Sequence, residues 1–96
     1  MSTRVHGTDA EKCRLIAAFE GFDPIKGPPD YWRNLNATMR AARKLPDDYE
    51  LIVGCGGSAD VYRKSNIFVS QFVRDDPARA AFEALSAYLE SRKVER

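Results

Sequence analysis

In Ile67-Phe68-Val69-Ser70-Gln71-Phe72-Val73-Arg74-Asp75-Asp76-Pro77, an apolar run stops at residues that start helices. Ile, Val and Phe suit a pleated, half-buried surface, so the run predicts a β-strand. Strict alternation places Phe68, Ser70 and Phe72 on one face and Ile67, Val69, Gln71 and Val73 on the other. Both faces are then largely apolar, which predicts a strand covered on both sides or central in its sheet. Asp75 or Asp76 supplies an N-cap carboxylate for free first-turn amides, and Pro77 fits the first helical position, where its missing N–H is not needed. Ala78, Ala81, Phe82, Leu85, Tyr88, Leu89 and Arg92 then follow helical spacing, with Glu83, Ser86 and Glu90 off the stripe. The pattern predicts a helix over 77–93.

Upstream, Tyr49, Leu51, Val53 and Cys55 alternate with Glu50, Ile52 and Gly54, as in a strand, and Gly54-Cys55-Gly56-Gly57-Ser58 interrupts it. Val61-Tyr62-Arg63 reads as a short further strand or as part of the hairpin arm. No crossover helix separates 49–55 from 66–74, so direct antiparallel pairing of these two is the simplest topology. A helix is expected from near Asp30 to Lys44 or Leu45, ending before Pro46. Its buried stripe is Tyr31, Trp32, Leu35, Met39 and Ala42, with Arg33, Asn36, Arg40 and Arg43 opposite; Pro46-Asp47-Asp48 is a turn. Residues 22–29 hold three prolines and a glycine and read as a loop anchored by Phe22 and Ile25. Thr8-Asp9-Ala10-Glu11 has capping-box form and opens a helix to about Glu20, with Leu15, Ile16 and Phe19 as its apolar stripe and Gly21 as its stop. Residues 1–7 read as a frayed tail.

The order is two N-terminal helices, a small antiparallel sheet of two or three strands, and a C-terminal helix. This is an α+β domain in which the helices must pack on the sheet, leaving at least one strand edge to protect or to use.

Ninety-six residues make a single domain with a small core that does not require a metal or disulfides. No apolar stretch approaches a membrane span, and the N-terminus lacks the apolar segment of a secretory signal. Cys13 and Cys55 then read as reduced thiols in a cytoplasm. The formal charge of +1 argues against a dedicated duplex-DNA binder, which needs a strong basic excess. The charge is segregated, however. Residues 30–46 carry Arg33, Arg40, Arg43 and Lys44 against Asp30 alone, whereas 47–60 carry Asp47, Asp48, Glu50 and Asp60 with no cation.

The glycine-rich segment 54–58 lacks the Gly-Lys-Ser/Thr ending of a phosphate loop and no helix follows it, so a hairpin turn or bulge is the expectation, with a mobile partner-binding loop as the alternative. Cys55 would need a base to act as a nucleophile, and the only histidine, His6, lies in the tail. One histidine and two scattered cysteines match no zinc spacing. Asp47, Asp48 and Glu50 at a turn read as solvated acids rather than as an acid–base pair. Arg40 and Lys44 are like-charged i,i+4 neighbours, which points to an outside anion or to Asp47 or Asp48 as a local partner.

The segment Pro28 to Leu89 resembles the small α-β-α sandwich accessory proteins of phages and prophages. The resemblance is carried by Pro28-Pro29-Asp30-Tyr31-Trp32 leading into a Trp-containing helix, then a hairpin, then the Ala-rich Pro77-Ala78-Arg79-Ala80-Ala81 helix. It implies an accessory protein of a mobile element, without catalytic residues or cofactor, that binds and blocks host machinery such as CRISPR–Cas in the bacterial cytoplasm. The expected function is therefore a non-enzymatic protein-binding module acting by surface occlusion. Its contact residues would come from Asp47, Asp48, Glu50 and Asp60 or from Arg33, Arg40, Arg43 and Lys44. The alternative is a nucleic-acid-binding accessory protein using the basic face of helix 30–44. A homodimer paired through strand edges is compatible with either.

Overall fold

The structure is a computed structural model that describes residues 9–21 and 30–94, the last two by backbone alone. The expected tail 1–7, the Thr8 cap, His6 and the 22–29 loop lie outside the described residues.

The order is α1 (Asp9–Glu20), a 3-10 turn (Tyr31–Arg33), α2 (Leu35–Ala42), β1 (Tyr49–Val53), β2 (Ser58–Arg63), β3 (Asn66–Phe72) and α3 (Pro77–Val94). The α+β class and the order of elements are as the sequence predicts. Asp76 is the α3 cap: its Oδ1 accepts from the Arg79 amide at 3.0 Å, with Pro77 in the first turn. Gly21 ends α1 at φ +90°, its amide donating to the Ala17 carbonyl at 2.9 Å.

The expected helix 30–44 is in fact two elements. Asn34 interrupts it with extended backbone (φ −129°, ψ 89°) and caps α2 by accepting from the Ala37 amide at 3.0 Å. The break lets Tyr31 turn fully inward while the Thr38 hydroxyl donates to the Tyr31 carbonyl at 3.1 Å. Restarting the helix also resets its phase. Ala37, Thr38 and Ala41 are buried, whereas Trp32, Leu35, Met39 and Ala42 are only half-buried.

The sheet has the order β1-β2-β3, all antiparallel, so β2 lies between the two strands expected to pair directly. β3 is therefore an edge strand, not a central one, and it is not covered on both sides. Its register with β2 shifts between Val61 and Tyr62: Val61 faces Val69 but Tyr62 faces Ile67, leaving Phe68 as an extra residue. This bulge turns Phe68 off the face it would share with Ser70 and Phe72 and onto the helix side. There its ring meets Tyr49 and Tyr88 at centroid distances of 5.7 and 5.9 Å.

The two helices that touch the sheet, α2 and α3, cover the side that carries its buried residues, and α1 packs on those helices. α3 is the centre of the molecule, touching every strand, both other helices and the 3-10 turn. Its buried surface is wider than one stripe: Ala80, Ala84 and Ser86 join Ala81, Phe82, Leu85, Tyr88 and Leu89. Ser86, expected off the stripe, satisfies its hydroxyl on the Glu83 carbonyl at 3.1 Å.

Candidate functional site

Because α2 and α3 pack on the side of the buried strand residues, the other side of the sheet carries no second layer among the described residues. The register sets out this outer face in rows: Glu50–Tyr62–Ile67, then Ile52–Asp60–Ser70, then Ser58–Phe72. Ile52, Ile67 and Phe72 are 46%, 58% and 65% exposed, high for residues of this type in strands. Tyr62, between Glu50 and Ile67 in the first row, is half-buried.

One end of the face is acidic. Asp47, Asp48 and Glu50 line an open cleft of about 660 Å³ together with Tyr49, Ile52, Tyr62, Lys64 and Ser65. Asp60 lies one row further along the same face, diagonal to Glu50. All four acids expected from the sequence thus fall on or beside one surface. Arg63 Nε approaches Asp48 Oδ2 at 3.4 Å and its guanidinium lies over the Tyr49 ring. Glu50 and Asp60 have no ion pair among the described residues. The tip between β2 and β3 is tight, with Lys64 and Ser65 at φ 51° and 75°. The Lys64 amide donates to the Asp48 carbonyl at 3.1 Å and ties this tip to the acidic turn.

The four basic residues do not form a comparable surface. Arg33, on the 3-10 turn, is paired with Asp30 at 2.8 Å and stacks on Trp32, with 4.9 Å from guanidinium to ring. Arg40, for which the spacing implied an outside anion or Asp47 or Asp48 as partner, is held by Glu20 of α1. Arg43 and Lys44 are exposed just beyond the end of α2. The Arg40–Glu20 contact belongs to a clamp in which the Tyr31 hydroxyl also donates to Glu20, at 2.7 Å. Burial works to raise the Glu20 pKa, but the hydrogen bonds from Arg40 and Tyr31 outweigh it and hold the carboxyl below its ordinary value. Burial, and then the bond to Glu20, push Tyr31 well above the usual phenol range.

Of the two thiols, Cys13 is buried, and burial raises its pKa; Cys55 is exposed on the loop between β1 and β2. That loop is a strap. The Gly57 carbonyl accepts from the Val73 amide at 2.8 Å and the Gly56 carbonyl from Asp75 at 3.1 Å, so it pins the junction of β3 and α3. Gly57 has φ +108°, and a Cβ there would overlap the Val73 carbonyl. The expected hairpin turn is present, and it is fixed to its neighbours. Among the described residues, no group of three or more His, Cys, Asp or Glu is placed to hold a metal ion, and no helix is long and apolar enough to cross a membrane.

The sequence reading missed the apolar part of the site, namely Ile52, Tyr62, Ile67 and Phe72. One signal was present: Ile52 shares its strand face with Glu50 and Gly54, the side that alternation assigns away from the core. The chain matches no protein-family model, no curated protein and no solved structure.

Proposed function

We propose that this chain is a non-enzymatic protein-binding module that docks through the outer face of its sheet and occludes the surface it covers. The observation that carries this reading is the open face itself: Ile52, Ile67 and Phe72 stand exposed on strands whose other side carries the buried Leu51, Ala59 and Val61. Exposed apolar side chains gathered on a rigid sheet and rimmed by charge are the usual make-up of a protein interface.

In its finer form the module is a phage-encoded inhibitor of a host defence complex such as CRISPR–Cas, acting in the bacterial cytoplasm. Support comes from the resemblance carried by 28–32 and 77–81, and from the grouping of Asp47, Asp48, Glu50 and Asp60 at one surface. Carboxylates there would compete with phosphates for the lysines and arginines of a nucleic-acid-binding target. The alternative, nucleic-acid binding through Arg33, Arg40, Arg43 and Lys44, is weakened by the ion pairs that engage Arg33 and Arg40.

The test is affinity capture from a bacterial lysate containing an active CRISPR–Cas complex, with nuclease treatment and mass spectrometry of the eluate. A stoichiometric protein that survives nuclease and is lost with Phe72→Lys is the expected result. Recovery of nucleic acid alone, released by moderate salt, would replace this reading with the basic one.

A further inference from the structure

The open face has a carboxylate at its centre. Asp60 lies on the middle strand and in the middle row, with Ile52 and Ser70 on either side across the sheet and Ser58 and Tyr62 before and after it on the same face of β2. It is half-buried and without an ion pair among the described residues. The cations nearest in the chain lie at the ends of the face or off it. Arg63 is committed to Asp48 and the Tyr49 ring, Lys64 sits at the hairpin tip, and Arg74 follows the end of β3.

Three kinds of cover fail at this carboxylate. A purely apolar partner would bury the Asp60 carboxylate without a compensating charge or hydrogen bond, which strongly disfavours that cover. A second copy packed about a two-fold centred on the face would set Asp60 against its own mate. A nucleic-acid backbone would bring phosphates onto Asp60 and Glu50. A cation amid apolar groups meets both demands, covering the exposed apolar side chains and giving Asp60 a charge-assisted hydrogen bond.

We propose that the open face binds a protein surface centred on a lysine or arginine flanked by apolar side chains, with Asp60 as the partner of that cation and Glu50 as a peripheral one. The inference rests on the protein-binding reading above and adds the chemistry of the partner.

The experiment titrates the ¹⁵N-labelled full chain with three short synthetic peptides in which leucine alternates with arginine, with glutamine or with glutamate. The arginine peptide is expected to bind about tenfold more tightly than the glutamine peptide. It should shift the amides around Asp60, Tyr62 and Phe72, and the glutamate peptide should leave them unmoved. Asp60→Asn, nearly isosteric and on the open face, should erase the difference between the arginine and glutamine peptides. Equal binding of those two peptides on this face would overturn the cation proposal while leaving the docking face in place. Failure of all three to touch the face would remove both. Concentration-dependent shifts at Ile67 and Phe72 without peptide would assign the face to a second copy and overturn the proposal.

Discussion

The two faces of the sheet differ both in composition and in what covers them. On the helix side, Leu51, Ala59 and Val61 are buried, with Val53 and Val69 packed at their margin. On the other side, Ile52, Ile67 and Phe72 stand among Glu50, Ser58, Asp60 and Ser70 and remain exposed. Local preference for strand is the same for both sets. What separates them is the single layer of helices, which is enough to cover one face of three strands and no more. The protein-binding reading proposed above gives the apolar residues of the uncovered side a role that the core does not.

Substitutions can break this contrast. Phe82→Ala, which empties a fully buried site on α3, should cost about 3–5 kcal/mol in a denaturant titration. A cost under about 1 kcal/mol would mean that α3 is not the centre of the core. Gly57→Ala should cost roughly 2–4 kcal/mol, because it combines an unfavourable φ with a Cβ driven into the Val73 backbone. Wild-type stability in that variant would show that the glycine strap does not hold the β3–α3 junction. Replacing Lys64-Ser65 by Asn-Gly should stabilise the chain by about 1 kcal/mol, since those residues accept positive φ at both turn positions. Smallest of all, Phe72→Ser on the open face should change the unfolding free energy by no more than about 0.5 kcal/mol, as expected for a surface site. A large loss there would place Phe72 in a core and remove the contrast.

Titration sharpens the account of the helix layer. Asp9, whose carboxylate takes two hydrogen bonds from Arg79 at 2.9 Å, has a lowered pKa, chiefly from those bonds, and Glu20 is lowered as described. Groups depressed in the folded state add stability that is present above the ordinary carboxylate range and is lost as pH falls through their folded values. Tyr31 has the opposite sign. Its raised pKa adds stability below the ordinary phenol value of 10.0 that is lost as pH rises beyond it. Thermal midpoints across pH should therefore fall at both extremes, with Tyr31→Phe flattening the alkaline limb and Asp9→Asn the acid limb. An unchanged acid limb in Asp9→Asn would show that the Arg79 contact is not made in solution.

How much of this was legible in the sequence depended on whether the deciding chemistry was local. The Asp76–Pro77 start of α3 and the Gly21 stop of α1 are written within a few residues, and both stand where the pattern put them. The Asn34 break goes with contacts that helical periodicity does not state: Tyr31 is buried, its hydroxyl donates to Glu20 of α1 and its carbonyl accepts from the Thr38 hydroxyl. The bulge at Phe68 was hidden for the same reason: a register shift belongs to a pair of strands, and the alternation of one strand does not contain it. Two apolar faces on 67–73 suggested a covered strand, yet the number of helices available to cover it is a property of the whole fold. The acidic half of the candidate site was visible as a run of like charge, whereas its apolar half required knowledge of which side the helices occupy.

The most direct test of the docking face is to record ¹⁵N spectra of the full chain with and without the protein that it captures. The account predicts that perturbed amides concentrate on Glu50, Ile52, Asp60, Tyr62, Ile67 and Phe72, with α2 and its following Arg43 and Lys44 unaffected. Perturbation confined to α2 and Arg43–Lys44, with the sheet face unmoved, would contradict it.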